Sequence, residues 1–384
     1  MSHARVAIAL AVLLVTGCSS KGHAAATPPV TPPALAAASM PTPAPALTPP
    51  GTGGDWYRPR FDAIAFRSPA EGWAVVLGRS KGGMAVVHTI DGGAHWSSPS
   101  AVTSSWAGAY SVEIRFADRL HGWVFGRDLY ATRDGGQSWQ RERNVDPFAS
   151  DVEPAGGSVW MIDECGSTGA ACADSPRLYA STIGESTWTL VATRLLKPNQ
   201  LHMIRLSREE VIIWSPVSEL RTRDGGRSWA SMPLPCPGWE GADPGALATL
   251  DGKVQWVVCG SQPGAGSQVK TAYISDDSGL SWSYRAGGWD HPAGDLSEGG
   301  YVYQLALASP ANAFLALQRG GLLRSVDVGR TWRPTPVADE AGAGVHDPWF
   351  VDAYHGWVAD TDGLWRTVDG GATWKLVAAS PEPS

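Results

Sequence analysis

A tryptophan returns every 41 to 53 residues along this chain, at positions 96, 139, 188, 229, 282, 332 and 374. Six of the seven close the same phrase, Ser/Thr-x-Asp-x-Gly-x-x-Trp. It first reads Thr89-Ile-Asp91-Gly-Gly93-Ala-His-Trp96, and its later aspartates are Asp134, Asp224, Asp277, Asp327 and Asp369. The seventh copy, Ser181 to Trp188, is worn: Ile183 and Glu185 stand where Asp and Gly belong. A recurring unit of this length cannot bury its apolar face alone. It must stack against neighbours, as a propeller or a solenoid.

The segments between tryptophans predict four short strands per repeat. In the second repeat these are Ser111–Phe116, His121–Gly126, Asp128–Thr132 and Ser138–Arg141. The second strand carries its own aromatic series: Trp73, Trp123, Trp160, Trp214, Trp256, Phe314 and Trp357. Two independent series of seven give one answer: an all-β, seven-bladed propeller with four-stranded antiparallel blades. A β-helix would have a shorter repeat and no hairpin turns. Composition agrees, since only 17% of residues are charged while Gly (45) and Pro (29) are abundant, which suits short strands and tight turns.

The phrase has a mechanical reading. Asp accepts hydrogen bonds from the N–H groups of its own turn. Gly two positions on takes positive φ without steric penalty. The flanking Ser/Thr hydroxyls bond the same turn. Trp is expected to start the fourth strand and to fill space beside the next blade. The six aspartates are therefore assigned a structural role.

The N-terminal segment reads differently. Arg5 followed by the apolar run Val6 to Val15, then Val15-Thr16-Gly17-Cys18, resembles a bacterial lipoprotein signal with cleavage before Cys18. The alternative is an ordinary secretory signal. On the first reading, residues 1–17 are the signal, and residues 18–54 are a lipidated Cys18 with a Pro/Ala/Thr-rich tether. Residues 55–384 are then the propeller. Extended Pro-rich chain of this length would reach up to ~100 Å. The expected location is the cell envelope, anchored through lipid. A formal net charge of −7 lends no support to a nucleic-acid partner.

The repeats resemble the Asp-box or BNR-repeat propellers, a group that includes sialidases, sortilin-type receptors, two-domain xyloglucanases and the photosystem II stability and assembly factor. The combination His-Gly-Trp, a short strand, then Thr-x-Asp-Gly-Gly-x-x-Trp is most similar to the assembly-factor branch. It occurs at His121 to Trp139 and at His355 to Trp374. The resemblance implies a scaffold that binds other proteins, with no catalysis, no cofactor and no metal. In such a propeller the first strand of each blade lines a central channel. Blade-to-blade loops and the loops between strands two and three share one face, and the Asp turns occupy the other. That map places Cys165, Cys172, Cys236 and Cys259 on one face, and the expected disulfides are Cys165–Cys172 and Cys236–Cys259. A zinc site is the rival reading, but close Cys pairs and nearby His are missing.

Three tryptophans fall outside both series and inside long blade-to-blade loops: Trp106, Trp239 and Trp289. Beside them are Glu240, Asp243, Asp290, His291, Asp295 and Glu298. Aromatics interleaved with polar groups on one face make a candidate binding rim, although each Trp could simply cap its own loop. The expected partner is another envelope or membrane protein; the alternative is a cell-envelope glycan stacked on the same aromatics. A glycoside hydrolase is the third reading. Against it, the sialidase arginine set does not follow Tyr57-Arg58-Pro59, and a single propeller lacks the cleft of the xyloglucanase type. The oligomeric state is left open.

Overall fold

In the computed structural model the described residues are 60–77, 83–103, 112–126, 128–142, 149–164, 176–193, 201–215, 218–236, 245–288, 296, 299–337, 344–360 and 363–379. Among them the strands form seven four-stranded sheets, each antiparallel throughout. Each sheet is one blade, and within it the strands lie in chain order. The seven first strands are Arg60–Phe66, Glu113–Phe116, Ala149–Ala155, His202–Arg205, Ala246–Thr249, Tyr301–Ser309 and His346–Phe350. That of blade seven contacts that of blade one, so the ring closes.

Seven apolar clusters hold the ring together, and each draws on two adjacent blades. The second-strand aromatics are their centres; Trp73, Trp256, Trp357 and Phe314 are almost wholly buried. The motif tryptophans supply the other half of each seam, and here the structure corrects the expectation. Trp139 of blade two joins the cluster of blade one, Trp229 joins Trp160 of blade three, and Trp332 packs edge-on to Trp256 of blade five. Each Trp faces the preceding blade, not the next. It also precedes the fourth strand, which starts at Gln140, Ala230 and Arg333 in these blades. The reason is local. The indole folds back on its own turn, and Trp96, Trp229 and Trp332 donate Nε1–H to the carbonyls of Gly93, Gly226 and Gly329 at 3.0, 3.2 and 3.2 Å.

Among the described residues no strand is shared at the closing seam: blade one and blade seven each own four. Side chains close it instead. Phe66 stacks on Trp357 with ring centroids 3.7 Å apart. Trp357 Nε1 donates to Gly92 O at 2.9 Å, and Arg366 donates to Pro69 O at 2.8 Å. The segment around Trp56 lies outside the described residues.

The Asp turns share one hydrogen-bond pattern. The Ser/Thr two residues before Asp donates to Oδ1 at 2.7–3.1 Å in all six copies. The same hydroxyl accepts from the N–H of the Gly two residues after Asp at 2.8–2.9 Å. The residue four after Asp donates its N–H back to Oδ1, and where it is Ser or Thr its hydroxyl donates to Oδ2. With so many donors, hydrogen bonds led by the Ser or Thr hydroxyl hold Asp224, Asp277 and Asp369 down at about 2.

These turns also staple blades together. The carbonyl one residue after Asp receives a donor from the preceding blade. Gly92 takes Trp357, Gly135 takes Trp73, Ser278 takes Arg221 and Gly370 takes Asn312. Asn312 serves where Phe314 has no N–H to offer. Even the worn turn keeps this staple, with Arg133 donating to Gly184 O at 2.9 Å. In blade six Val328 occupies the position at φ 62°, and the buried Trp256 Nε1 has no partner.

Candidate functional site

The rim residues Trp106, Trp239, Glu240, Asp243, Trp289, Asp290, His291, Asp295 and Glu298 lie outside the described residues, as do Cys18, Cys165 and Cys172. Cys236 and Cys259 are joined by a disulfide. It ties the loop leaving blade four to the second strand of blade five, three residues before Trp239.

The described residues enclose a second candidate, the central channel. A cavity of about 600 Å³ is lined by first-strand residues of all seven blades. A side chain every second position along a strand shares one face. So Glu113 and Arg115 in blade two, and Asp151 and Glu153 in blade three, turn toward the cavity together.

Arg115 is the hub. Its Nε donates to Glu153 Oε1 at 2.7 Å and its Nη1 to Glu113 Oε2 at 3.0 Å. Its guanidinium lies over the Trp349 ring at 5.4 Å and over Phe125 at 5.7 Å. Trp349 is fixed in turn by a 2.8 Å bond from Nε1 to Phe66 O. Trp349 also walls the channel.

Two aspartates link neighbouring first strands. Asp151 Oδ2 accepts from Met203 N of blade four at 2.8 Å. Asp347 Oδ2 accepts from Ile64 N of blade one at 3.1 Å, while its Oδ1 accepts from Gln304 of blade six at 3.2 Å. Asp151 is 6% exposed, and its Oδ1 has no partner.

The channel shifts its titrating groups in the direction opposite to the turns. Enclosure pushes Glu113 up, the Asp347 charge pushes it further, and Arg115 opposes both, leaving it at about 7. Burial, with Glu153 adding to it, raises Asp151 well above the carboxylate range. His202 is open to channel water yet walled in by protein. That enclosure and the Arg115 charge push it down to about 4, so it is neutral at pH 7. It stacks on Trp214 with centroids 4.6 Å apart.

The arrangement offers aromatic walls, one neutralised guanidinium and an excess of carboxyl groups. Among the described residues no group of three or more His, Cys, Asp or Glu is placed to hold a metal ion. His121 and His355 are turn residues, each with Nδ1 against an aspartate three positions back, Asp118 and Asp352, at 2.8 and 2.9 Å.

No protein-family model matches the chain, and no curated protein matches it in sequence. Solved structures do resemble it. YCF48 bound to D1 peptide aligns with 81% of this chain and 94% of its own at 18% identity, with a TM-score of 0.56. YCF48 from Cyanidioschyzon merolae aligns over 84% and 98% at 17% identity, with a TM-score of 0.55. An ancestral GH74 enzyme aligns over 84% of this chain but only 45% of its own, at 12% identity and a TM-score of 0.55. At these identities the likeness establishes the fold.

Proposed function

We propose that this chain is a non-catalytic propeller that binds another protein of the cell envelope and is held at the membrane by lipid on Cys18. The observation that carries the reading is the likeness to YCF48, a frame solved with a D1 peptide bound and matched over 94% of its length. The proposed contact surface is the loop rim bearing Trp106, Trp239 and Trp289. The disulfide supports it, because it anchors the start of the Trp239 loop to blade five.

The test is affinity capture from detergent-solubilised envelope of the native host, with the full chain as bait. A discrete protein should be retained, and lost when Trp239, Trp289 and Glu240 are all changed to Ala without a fall in melting temperature. Retention unaffected by the triple change would remove the rim from the reading. No retained protein would overturn the reading itself.

One observation favours a second reading, glycan processing. A carboxyl at about 7 (Glu113) stands beside Glu153 in a cavity walled by Trp349 and Tyr303, and raised carboxyls serve as general acids. Turnover of aryl glycosides that disappears in Glu113→Gln would support it. Arg115 argues the other way, since it engages both carboxylates.

A further inference from the structure

We infer that the channel is a receptor for a primary ammonium or guanidinium group carried on a slender unbranched stem. The inference rests on channel residues alone and does not depend on what the rim binds.

Four carboxyl groups line the cavity: Glu113, Asp151, Glu153 and Asp347. Among the described residues the lining holds a single guanidinium, Arg115. Arg205 stands behind Glu153, donates to its backbone oxygen and to Ser158, and acts on the Glu153 charge from outside the lining. His202 is neutral and His346 lies 3.9 Å from Asp347. Arg115 uses one oxygen each of Glu113 and Glu153. Among the described residues their other oxygens have no hydrogen-bond partner, and both side chains are 22% exposed to the cavity.

Asp151 is the second, independent sign. It is more than nine-tenths buried, it lines the cavity, and its Oδ1 is unsatisfied. Burial and the neighbouring Glu153 favour the protonated form of Asp151, and an arriving cation shifts it toward its charged form and gives Oδ1 a partner. The vacancy wants N–H donors and positive charge together. A metal ion fits poorly, because the cluster lacks a metal-ligating arrangement. The aromatic walls, Trp349 and Tyr303, suit the methylene stem of a lysine-like or arginine-like group.

Binding should also move a proton. Enclosure raises Glu113 to about 7 and Asp151 well above its ordinary range, and an arriving cation favours the charged form of both. The proton leaves to solvent, so affinity rises from pH 6 to pH 8. The groups facing Glu113 in this titration are Arg115, Asp151, Glu153 and Asp347, with His202 already neutral across that range.

The experiment is calorimetric titration of the full chain with N-acetyl-lysinamide, N-acetyl-argininamide and putrescine, with neutral N-acetyl-glutaminamide as control. We expect saturable binding of a cation with Kd on the order of 1 mM, and none of the neutral probe. Heats in two buffers of different ionisation enthalpy at pH 7 should differ, reporting net proton release. Glu113→Gln should reduce that difference and weaken binding at least about tenfold. Asp151→Asn, which keeps an oxygen for Met203 N–H, should weaken it comparably. Tighter binding of putrescine would point to a free polyamine; tighter binding of the amino-acid amides would point to a side chain offered by a protein. No saturable binding of any cation would overturn the inference, as would equal affinity for the neutral probe. Unchanged affinity in both variants, each shown by near-ultraviolet dichroism to be folded, would overturn it as well.

Discussion

Carboxylates on the Asp-turn face and carboxylates inside the ring are chemically alike and physically opposed. In the turns, Asp224, Asp277 and Asp369 each collect a hydroxyl donor on either side and a backbone N–H, and stay charged down to about pH 2. In the channel Glu113 sits at about 7, and at the seam of blades four and five burial raises Glu219 as well. The difference lies in the donors, not in the residue type. A turn surrounds its carboxylate with N–H and O–H groups that the backbone path delivers automatically. The ring interior supplies apolar walls and other carboxylates. The first arrangement spends the charge on structure; the second keeps protons and charges available for exchange.

Four experiments would break or sharpen this contrast. The largest effect should come from Trp357→Ala at the closing seam, which removes the stack on Phe66 and the bond to Gly92 O. It should lower stability by about 3–5 kcal/mol, read by denaturant unfolding. A small loss would mean that the turn face contributes less to ring closure than the channel latches Asp347–Ile64 and Asp347–Gln304.

Next, Asp134→Ala removes the acceptor for Ser138 N, Ser138 Oγ and Thr132 Oγ1. The expected loss is about 1–2 kcal/mol. Asp134→Asn should recover part of it, since an amide oxygen can still accept. A neutral Ala variant would contradict the structural role.

Third, the two groups should answer pH in opposite senses. A carboxyl whose folded pKa is depressed stabilises the fold above its unfolded value, near 4, and that contribution fades as pH falls toward 2. A carboxyl whose folded pKa is raised contributes most in acid, and its contribution fades as pH climbs past the raised value. Glu219 is the clean case. It is fully buried, its Oε1 takes Gln255 Nε2 at 3.3 Å, and its Oε2 and Gln255 Oε1 both lack partners beside Gly279. A proton on Oε2 would supply the missing donor. Glu219→Gln should therefore raise the melting temperature at pH 8 by about 2 °C or more and make little difference at pH 4. A gain of equal size at both pH values would show that Glu219 is not the titrating group.

The smallest effect should be a gain. Val328 is β-branched at φ 62°, a conformation that disfavours such side chains. Val328→Gly should stabilise by about 1 kcal/mol and bring its turn into line with those built on Gly92, Gly135 and Gly370. A destabilised variant would show that the packing of Val328 against the core of blades five and six outweighs its backbone strain.

The architecture was legible because the chain repeats what is mechanically indispensable. Trp139, Asp134 and Trp123 recur in register, and the blade count follows from them. The direction in which Trp139 packs was not legible, since a ladder of tryptophans looks the same whichever neighbour it touches. What decides it is the packing of its indole against the cluster shared with blade one. The channel was missed for a different reason. First strands carry no shared phrase: blade two offers Glu113-Ile-Arg115, blade three Asp151-Val-Glu153, and blade five an apolar Ala246–Thr249. The signal was nonetheless present. Charged residues at alternate positions, in strands already assigned to the channel, mark a polar inner face. Asp347 needed coordinates, because its partners Ile64 and Gln304 are 283 and 43 residues away.

The self-contained closing seam has a consequence for inheritance. Where a ring borrows one strand from the far end of the chain to finish a blade, duplicating a stretch of sequence yields a fragment and a gap. Here the boundary of each blade coincides with the boundary of each sequence repeat. One copied repeat encodes one finished blade, already furnished with a tryptophan facing backward and a turn carbonyl awaiting a donor. A lineage with this layout can gain or replace a sector of the ring as a unit, and a worn copy such as Ser181–Trp188 can drift in one sector while the other six keep their turns.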